Sequence, residues 1–305
     1  MDIKQLRYFV AIVDASSVTR ASQLLHIAQP ALSYHLSNLE AHLNTKLLNR
    51  NTSGVTPTAS GELLYKHAKS LLRQIENLEI SVSQHNSSPS GKVTIGLPGS
   101  TSRLLAIPLL QKLRQYPGIL LEIVERQSGA LAEVVAQAQV DLAITVDASA
   151  PPGVTMTPLV NEELFAILPQ KFKVQHKKLT LQDLSRLPLA LPSKPNLTRV
   201  KLDLAFMEAN LKYTLLAEAS TTDLLVRIAR SGEACTVLPW SSVSEEIESG
   251  QLFALQIKKP IFSRELSLCV SDSVPLSQPA RIVQSLVLDE VAALLPRSKW
   301  LPCAS

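Results

Sequence analysis

The 305-residue sequence predicts a multidomain chain, a small and mostly helical N-terminal domain followed by a larger α/β part. Three observations lead there. Residues 1–73 hold eight Lys and Arg against four Asp and Glu, a surplus equal to the whole-chain net charge of +4. The segment His85–Gly91 (HNSSPSG) is polar and carries Pro and Gly, the composition of a linker. Beyond it, apolar periodicity changes from helical to alternating strand and helix. A hydrophobic fraction of 46% with 18% charged residues excludes disorder along the whole length, and 10 glycines with 4% aromatics argue against an all-β architecture.

In the N-terminal part, Ile3, Leu6, Phe9, Val10 and Val13 recur at helical spacing. Ser17 can cap a second helix carrying Val18, Ala21, Leu24 and Leu25, and His26–Gln29 reads as a short connector. Pro30 stands where a first helical turn tolerates proline, before a helix with Leu32, Leu36, Leu39 and Leu43 on one face. Three short helices with a tight joint between the second and third suggest a helix-turn-helix. Arg50–Pro57 (RNTSGVTP) has the composition of a β-turn with flanking strands, a wing. Leu64, Ala68, Leu71, Ile75, Leu78 and Val82 then follow at spacings of 4, 3, 4, 3 and 4, a coiled-coil seam within a helix over about 58–84. Dimerisation through that seam is the expectation; packing on its own domain is the alternative.

After Gly91 the pattern predicts strands over 92–97, 119–125, 141–146, 164–168, 189–191, 213–218, 235–238 and 266–270. Helices over 102–115, 130–139, 200–210, 222–231 and 280–295 alternate with them, which predicts parallel-rich sheets with helices on both faces.

The helix beginning at Gln29 carries the chemistry. With its leucines facing the core, Gln29, Ser33, Tyr34 and Ser37 lie on or near the opposite face. Glutamine pairs bidentately with adenine, and hydroxyls serve bases or phosphates. The free N–H groups of a helix start attract phosphate, and Arg50 on the wing can reach a minor groove or phosphate. A solvated polar helix face accounts for the same composition. No GxSxG, GxxxxGK[ST] or HExxH motif occurs, and Gly96–Gly99 lacks dinucleotide-binding spacing, so no enzymatic activity is expected. Neither a metal nor a cofactor is expected, since the histidines at 26, 35, 42, 67 and 85 have no ligand spacing with Cys235, Cys269 and Cys303. His35 and His42 read as polar surface or DNA-facing, and Lys171–Lys178 (KFKVQHKK) as a solvated basic turn. The distant, odd cysteines and the lack of a signal core or an 18-residue apolar run point to a cytoplasmic protein with no membrane partner.

The run Ser17–Ser33 (SVTRASQLLHIAQPALS), ending in Leu39-Glu40, resembles the winged helix-turn-helix signature of LysR-type transcriptional regulators. Leu47–Arg50 (LLNR) and Gly54–Gly61 (GVTPTASG) match as well, and LHIAQPALS with GVTPT place the resemblance near the nitrogen-assimilation-control branch. The resemblance covers the full length. It implies a DNA-binding domain over 1–58, a dimerising linker helix and hinge over 59–91, and a two-lobed effector domain like periplasmic binding proteins over 92–305. Lobe I would take 92–161 and 266–305, and lobe II 162–265. By position, Gln29, Pro30 and Ser33 fall on the DNA-reading helix and Arg50 on the wing. Ser53 stands where the family often has a basic residue and Leu48 replaces the usual phenylalanine, so weaker phosphate anchoring and a shallower salt dependence are expected.

The implied partners are promoter DNA, a second copy in a homodimer or homotetramer, RNA polymerase and a small-molecule effector. The effector would meet Ser100, Thr101, Ser102 and Ser128 from one lobe, and Thr198 and Thr222 from the other. Hydroxyls and free N–H groups at helix starts suit a small anion, although Ser128 and Thr222 are fully explained as N-caps. The rival reading is a small-molecule-binding protein whose N-terminal helices only oligomerise it.

Overall fold

The computed structural model describes residues 1–51, 54–83, 88–172 and 178–295, and in it the chain forms two compact units that divide near residue 86. Part of the linker, the wing tip Thr52-Ser53, most of the basic run after Lys171, and Cys303 lie outside the described residues.

In the first unit, α1 (Ile3–Ala15) opens on a capping box: Asp2 accepts from the Gln5 N–H while the Gln5 side chain accepts from the Asp2 N–H. It ends at Ser16 in the left-handed region. Ser17 caps α2 (Val18–Leu24) through the Arg20 N–H, as its type and position predict. His26, with φ 54°, turns the chain into α3 (Gln29–His42), where Pro30 occupies the first turn. Phe9, Ile12, Ala21, Leu32, Leu36 and Leu39 fill the core between these helices. Leu24, expected on the buried face of α2, is exposed instead, because Val18 and Ala21 suffice to close that short helix onto α1.

The wing pairs β1 (Leu48–Asn51) antiparallel with β2 (Gly54–Pro57), register Leu48 to Pro57. Gly54 has φ +128°, and a side chain there would lie 2.6 Å from the Ser16 carbonyl, which accepts from the Val55 N–H. Next comes α4 (Ala59–Ser83), whose Gly61 is pressed against the wing root so closely that a Cβ would sit 2.0 Å from the Leu47 carbonyl oxygen. The predicted seam on α4 divides. Ala68, joined by Leu72 rather than Leu71, packs against Leu6 and Val10 of α1, while Leu71, Leu78 and Val82 stay exposed. The first turns of the helix therefore serve their own domain and only the later ones offer a free apolar edge.

The second unit is a two-lobed α/β domain. Its elements run β3 (Gly91–Leu97), α5 (Gly99–Leu113), β4 (Ile119–Glu125), α6 (Ser128–Ala136), β5 (Leu142–Val146) and β6 (Val154–Pro169). Then follow β7 (Lys178–Thr180), α7 (Leu181–Ser185), β8 (Pro188–Pro192), α8 (Leu197–Glu208), β9 (Thr214–Ala219) and α9 (Thr222–Arg230). Last come β10 (Thr236–Pro239), α10 (Ser244–Glu248), β11 (Leu252–Lys258), β12 (Ser263–Ser271) and α11 (Gln278–Leu294). One lobe packs one face of β3, β5 and β12 against α5 and α11, with Ile95, Leu105, Leu109, Ile144, Leu268 and Val287 at its centre, and the opposite face against Leu131 and Val135 of α6. The other gathers Leu164, Leu168, Leu189, Leu202, Phe206 and Val237.

The sheet departs from the parallel-rich expectation. β3 pairs parallel with β4 and β5, and β8 with β9. But β6 runs 16 residues, far beyond the expected 164–168, and pairs antiparallel with β12, β11 and β10. β6 and β12 pass through both lobes, so the lobes share an antiparallel two-strand hinge that a βαβ pattern does not foretell. Among the described residues no helix is long and apolar enough to cross a membrane, and no group of three His, Cys, Asp or Glu is placed to hold a metal.

Candidate nucleic-acid interface and interlobe site

α3 buries Leu32, Leu36 and Leu39 and turns Gln29, Pro30, Tyr34 and Ser37 outward, with Ser33 half-buried between. Gln29 Nε2 donates to Ser33 Oγ at 3.0 Å, so the two polar groups one turn apart are preset as a unit. Gln29 Oε1 accepts no hydrogen bond among the described residues, and Ala28 leaves the helix start without a side-chain cap. Arg50 lies exposed on β1 opposite Val55. His35 differs from its expected surface role: its half-buried ring meets the Tyr8 ring edge-on at 5.1 Å and that of Tyr34 at 6.1 Å, so it props the exposed tyrosine.

Glu40, quoted in the signature but given no role there, fixes the wing. Its buried carboxylate accepts from the Leu47 N–H at 2.8 Å, the Leu48 N–H at 3.4 Å and Lys46 Nζ at 3.0 Å. Burial alone would raise its pKa; the Leu47 N–H, the Lys46 ammonium and the Leu48 N–H outweigh it and hold the carboxyl below the ordinary glutamate value. With a depressed folded-state pKa, its contribution is complete above the ordinary glutamate range and is lost as pH falls through the lowered value. Glu40→Ala is expected to cost the N-terminal domain about 1–3 kcal/mol by stranding two backbone donors. Urea unfolding at neutral pH and again at acid pH checks this: the gap from wild type must shrink in acid.

The predicted effector residues meet unequal fates. The Ser100 hydroxyl, at the start of α5, is buried and accepts from Arg264 Nη2 at 2.8 Å. Arg264 is itself paired with buried Glu162, whose other oxygen accepts from Ser241 Oγ at 3.0 Å. Thr101 is fully buried on the α5 face that carries Leu105 and Leu109, and its hydroxyl has no protein partner among the described residues. Ser102 Oγ donates to Glu125 Oε2 at 3.0 Å. Ser128 is no N-cap; its hydroxyl accepts from the Val146 N–H at 2.6 Å and donates to the Val146 carbonyl at 3.0 Å. Thr222 is not the cap of α9 either, since Thr221 is. Its Oγ1 instead lies 3.1 Å from the position of a Cβ on Gly99. Thr198 is half-buried in the first turn of α8, which Asn196 caps. So Ser100, Ser102 and Thr222 gather around the start of α5.

Charged residues that carried no signal in the sequence surround that helix start. Arg103 bridges from α5 to the other lobe, 2.6 Å from Glu246 and 3.3 Å from Asp223. Elsewhere in lobe II, Asp203 binds Tyr213, Lys194 and Arg199. Burial opposes its ionisation, but those three partners, named in order of weight, hold its carboxyl below the ordinary aspartate value. Burial pushes the Cys235 thiol up to about 12, so it stays protonated and unreactive at neutral pH.

Two family models match this chain: "Bacterial regulatory helix-turn-helix protein, lysR family" over residues 3–62 and "LysR substrate binding domain" over residues 86–292. The nitrogen assimilation regulatory protein nac of Escherichia coli (strain K12) is 33% identical over 303 residues, covering 98% of this chain and 99% of that protein. Its counterpart in Klebsiella aerogenes is 33% identical over 294 residues, with 96% of each covered. Among solved structures, a full-length OxyR variant from Pseudomonas aeruginosa superposes with a TM-score of 0.72 at 21% identity, over 95% of this chain and 94% of that one. Full-length CbnR complexed with its target DNA gives 0.70 at 19% identity, over 97% and 100%.

Proposed function

The chain belongs to the LysR family of DNA-binding transcriptional regulators, and from that premise we infer how its parts divide the work. It is a regulator rather than an enzyme, and the reading of its N-terminal helices as oligomerisation elements alone is set aside. α3 enters the major groove with Gln29, Ser33, Tyr34 and Ser37 toward bases or phosphates, Pro30 fixing the helix entry and Arg50 reaching the backbone from the wing. The observation that carries this is the outward polar face of α3, with Gln29 and Ser33 already hydrogen-bonded to each other at 3.0 Å and the leucines opposite committed to the core.

The exposed edge of α4, with Leu71, Leu78 and Val82, supports pairing with a second copy. Burying each such side chain is worth about 1.5–3 kcal/mol. Ile107 and Leu110 on α5, and Leu204 and Met207 on α8, are further exposed apolar groups that suit self-association into a dimer or tetramer. A small effector acts in the cleft at Ser100, Ser102 and Thr222, and RNA polymerase is the partner at the promoter, in the cytoplasm. The resemblance to the nac proteins supports a place near the nitrogen-assimilation branch.

Footprinting of the full chain on its own genomic DNA tests the DNA reading. One or few promoter regions are expected to be protected with nanomolar-range affinity that falls as salt rises. Equal binding to random DNA would overturn it.

A further inference from the structure

A cavity of about 780 Å³ opens on lobe II, between the last turn of α9 and the turn that joins α10 to β11. Gln170, Arg227, Arg230, Ser231 and the turn Ser249–Gln251 form its walls, so neither an apolar nor an acidic side chain borders it. The sheet brings these pieces together. β11 pairs Leu252 with Pro169 of β6, which sets Gln251 beside Gln170, and Gln170 Nε2 donates to the Gly250 carbonyl at 2.8 Å. Gly250 has φ +71°, and a Cβ on it would meet nothing within 4 Å.

α9 commits Leu225, Val226 and Ala229 to the core, which leaves Arg227 and Arg230, three residues apart, exposed in its last turn. The carbonyls of a helix end repel an anion, but here they are covered. The Ser231 N–H and hydroxyl donate to the carbonyls of Arg227 and Ile228 at 2.9 and 2.7 Å, and the Gly232 N–H donates to that of Ala229 at 3.1 Å. Asp223 holds Arg227 by Nε alone, at 2.7 Å, and is itself shared with Arg103. The Arg230 side chain makes no ion pair or hydrogen bond among the described residues. Lys171 adds a third base at the rim, its Cδ 3.9 Å from the position of a Cβ on Gly232. Glu233, Glu245 and Glu248 are exposed acids nearby in the chain; they pair with none of these three bases and do not line the cavity.

Two guanidinium groups one turn apart, with Nη donors to spare, match the oxygens of a phosphate, which arginine binds in bidentate fashion. Three bases suit its two negative charges better than the single charge of a carboxylate. Gln170 Oε1, the two serine hydroxyls and the Gln251 amide offer partners to hydroxyl groups on the rest of a ligand. We propose that lobe II carries a second ligand site, at the end of α9, for a small phosphate monoester with a hydroxyl-bearing body, anchored by Arg230. The site stands apart from the start of α5 and does not rest on the effector reading of that region.

Isothermal titration of the full-length protein with ribose 5-phosphate, ribose and inorganic phosphate tests it. Ribose 5-phosphate is expected to bind saturably and more tightly than inorganic phosphate, and ribose not to bind. Arg230→Gln is expected to weaken ribose 5-phosphate about tenfold or more, the loss of roughly 1.4 kcal/mol of binding. The Tm of the free protein should not change, because that side chain is exposed and unpaired. Arg186→Gln, which removes an exposed arginine elsewhere in lobe II, should bind as the wild type does. Equal affinity in wild type and Arg230→Gln overturns the site, since the phosphate is then held elsewhere, the basic N-terminal domain included. Inorganic phosphate binding as tightly as ribose 5-phosphate overturns the ligand class and leaves an adventitious ion only. A wild type that binds none of the three overturns the proposal outright.

Discussion

Replacing Arg264 with alanine is expected to destabilise the effector domain by about 3–5 kcal/mol, because it leaves the Glu162 carboxylate buried without its counter-charge. The guanidinium is also the donor to Ser100 at 2.8 Å, so the same substitution frees the start of α5 from the hinge strand β12. For a domain of this size the loss corresponds to roughly 6–20 °C in Tm. Calorimetry of the full chain should show the fall in the effector-domain transition alone, with the N-terminal unit unfolding as before. Replacing both partners, Arg264→Met with Glu162→Leu, should recover much of the loss, since paired removal leaves no orphaned charge. A single substitution that costs less than about 1 kcal/mol would mean that water reaches Glu162 and that the hinge does not depend on this pair.

The second large effect falls on discrimination between DNA sequences. The double substitution Gln29→Ala, Ser33→Ala is expected to lose about 1–3 kcal/mol of preference for each base pair these side chains read, about fivefold to 150-fold apiece. Binding to random DNA should fall much less, because phosphate contacts supply that term. Stability should change little: Gln29 is exposed, and the hydrogen bond lost is the one the two side chains make with each other. Competition binding of a footprinted promoter fragment against random duplex, at one fixed salt concentration, measures this. An equal drop on both DNAs would assign Gln29 and Ser33 to backbone contact instead.

Much of the N-terminal domain was legible because its signals are local. A capping serine at 17, a proline in the first turn of a helix and leucines at 32, 36 and 39 each act within one or two turns of the chain. Glu40 was quoted there but could not be read, since its meaning lies in the Leu47 and Leu48 N–H groups, which only the turn after α3 delivers. Ala68 was placed on an intermolecular seam because a helix pattern gives a face and not its partner; α1 claimed it.

In the α/β domain the periodicity marked eight strands and five helices but missed β7, α7, α10 and β11, and it missed the hinge. β6 and β12 carry charged residues at their middle and start, Glu162-Glu163 and Arg264-Glu265, which broke the apolar runs used to find strands. Those interruptions were the available signal. A lone Arg or Glu set into a strand pattern asks for a buried counter-ion, and here each supplies the other's. Glu125 and Arg103 gave no such hint, being ordinary charges at the end of a strand and in a helix.

The sequence by itself determined the helix-turn-helix, most of the strands and helices of the α/β part and the family, since all three rest on local periodicity, capping and an ordered run of residues. Placement of the basic surplus in the first 73 residues agrees with that assignment. Tertiary structure alone decided the antiparallel hinge, the packing of Ala68 and Leu72 of α4 against α1, and the ion pairs at the start of α5. Each of these depends on groups far apart in the chain, Leu6 and Val10 with Ala68, Arg103 with Glu246 and Arg264 with Glu162, whose interaction exists only once the fold brings them together out of water.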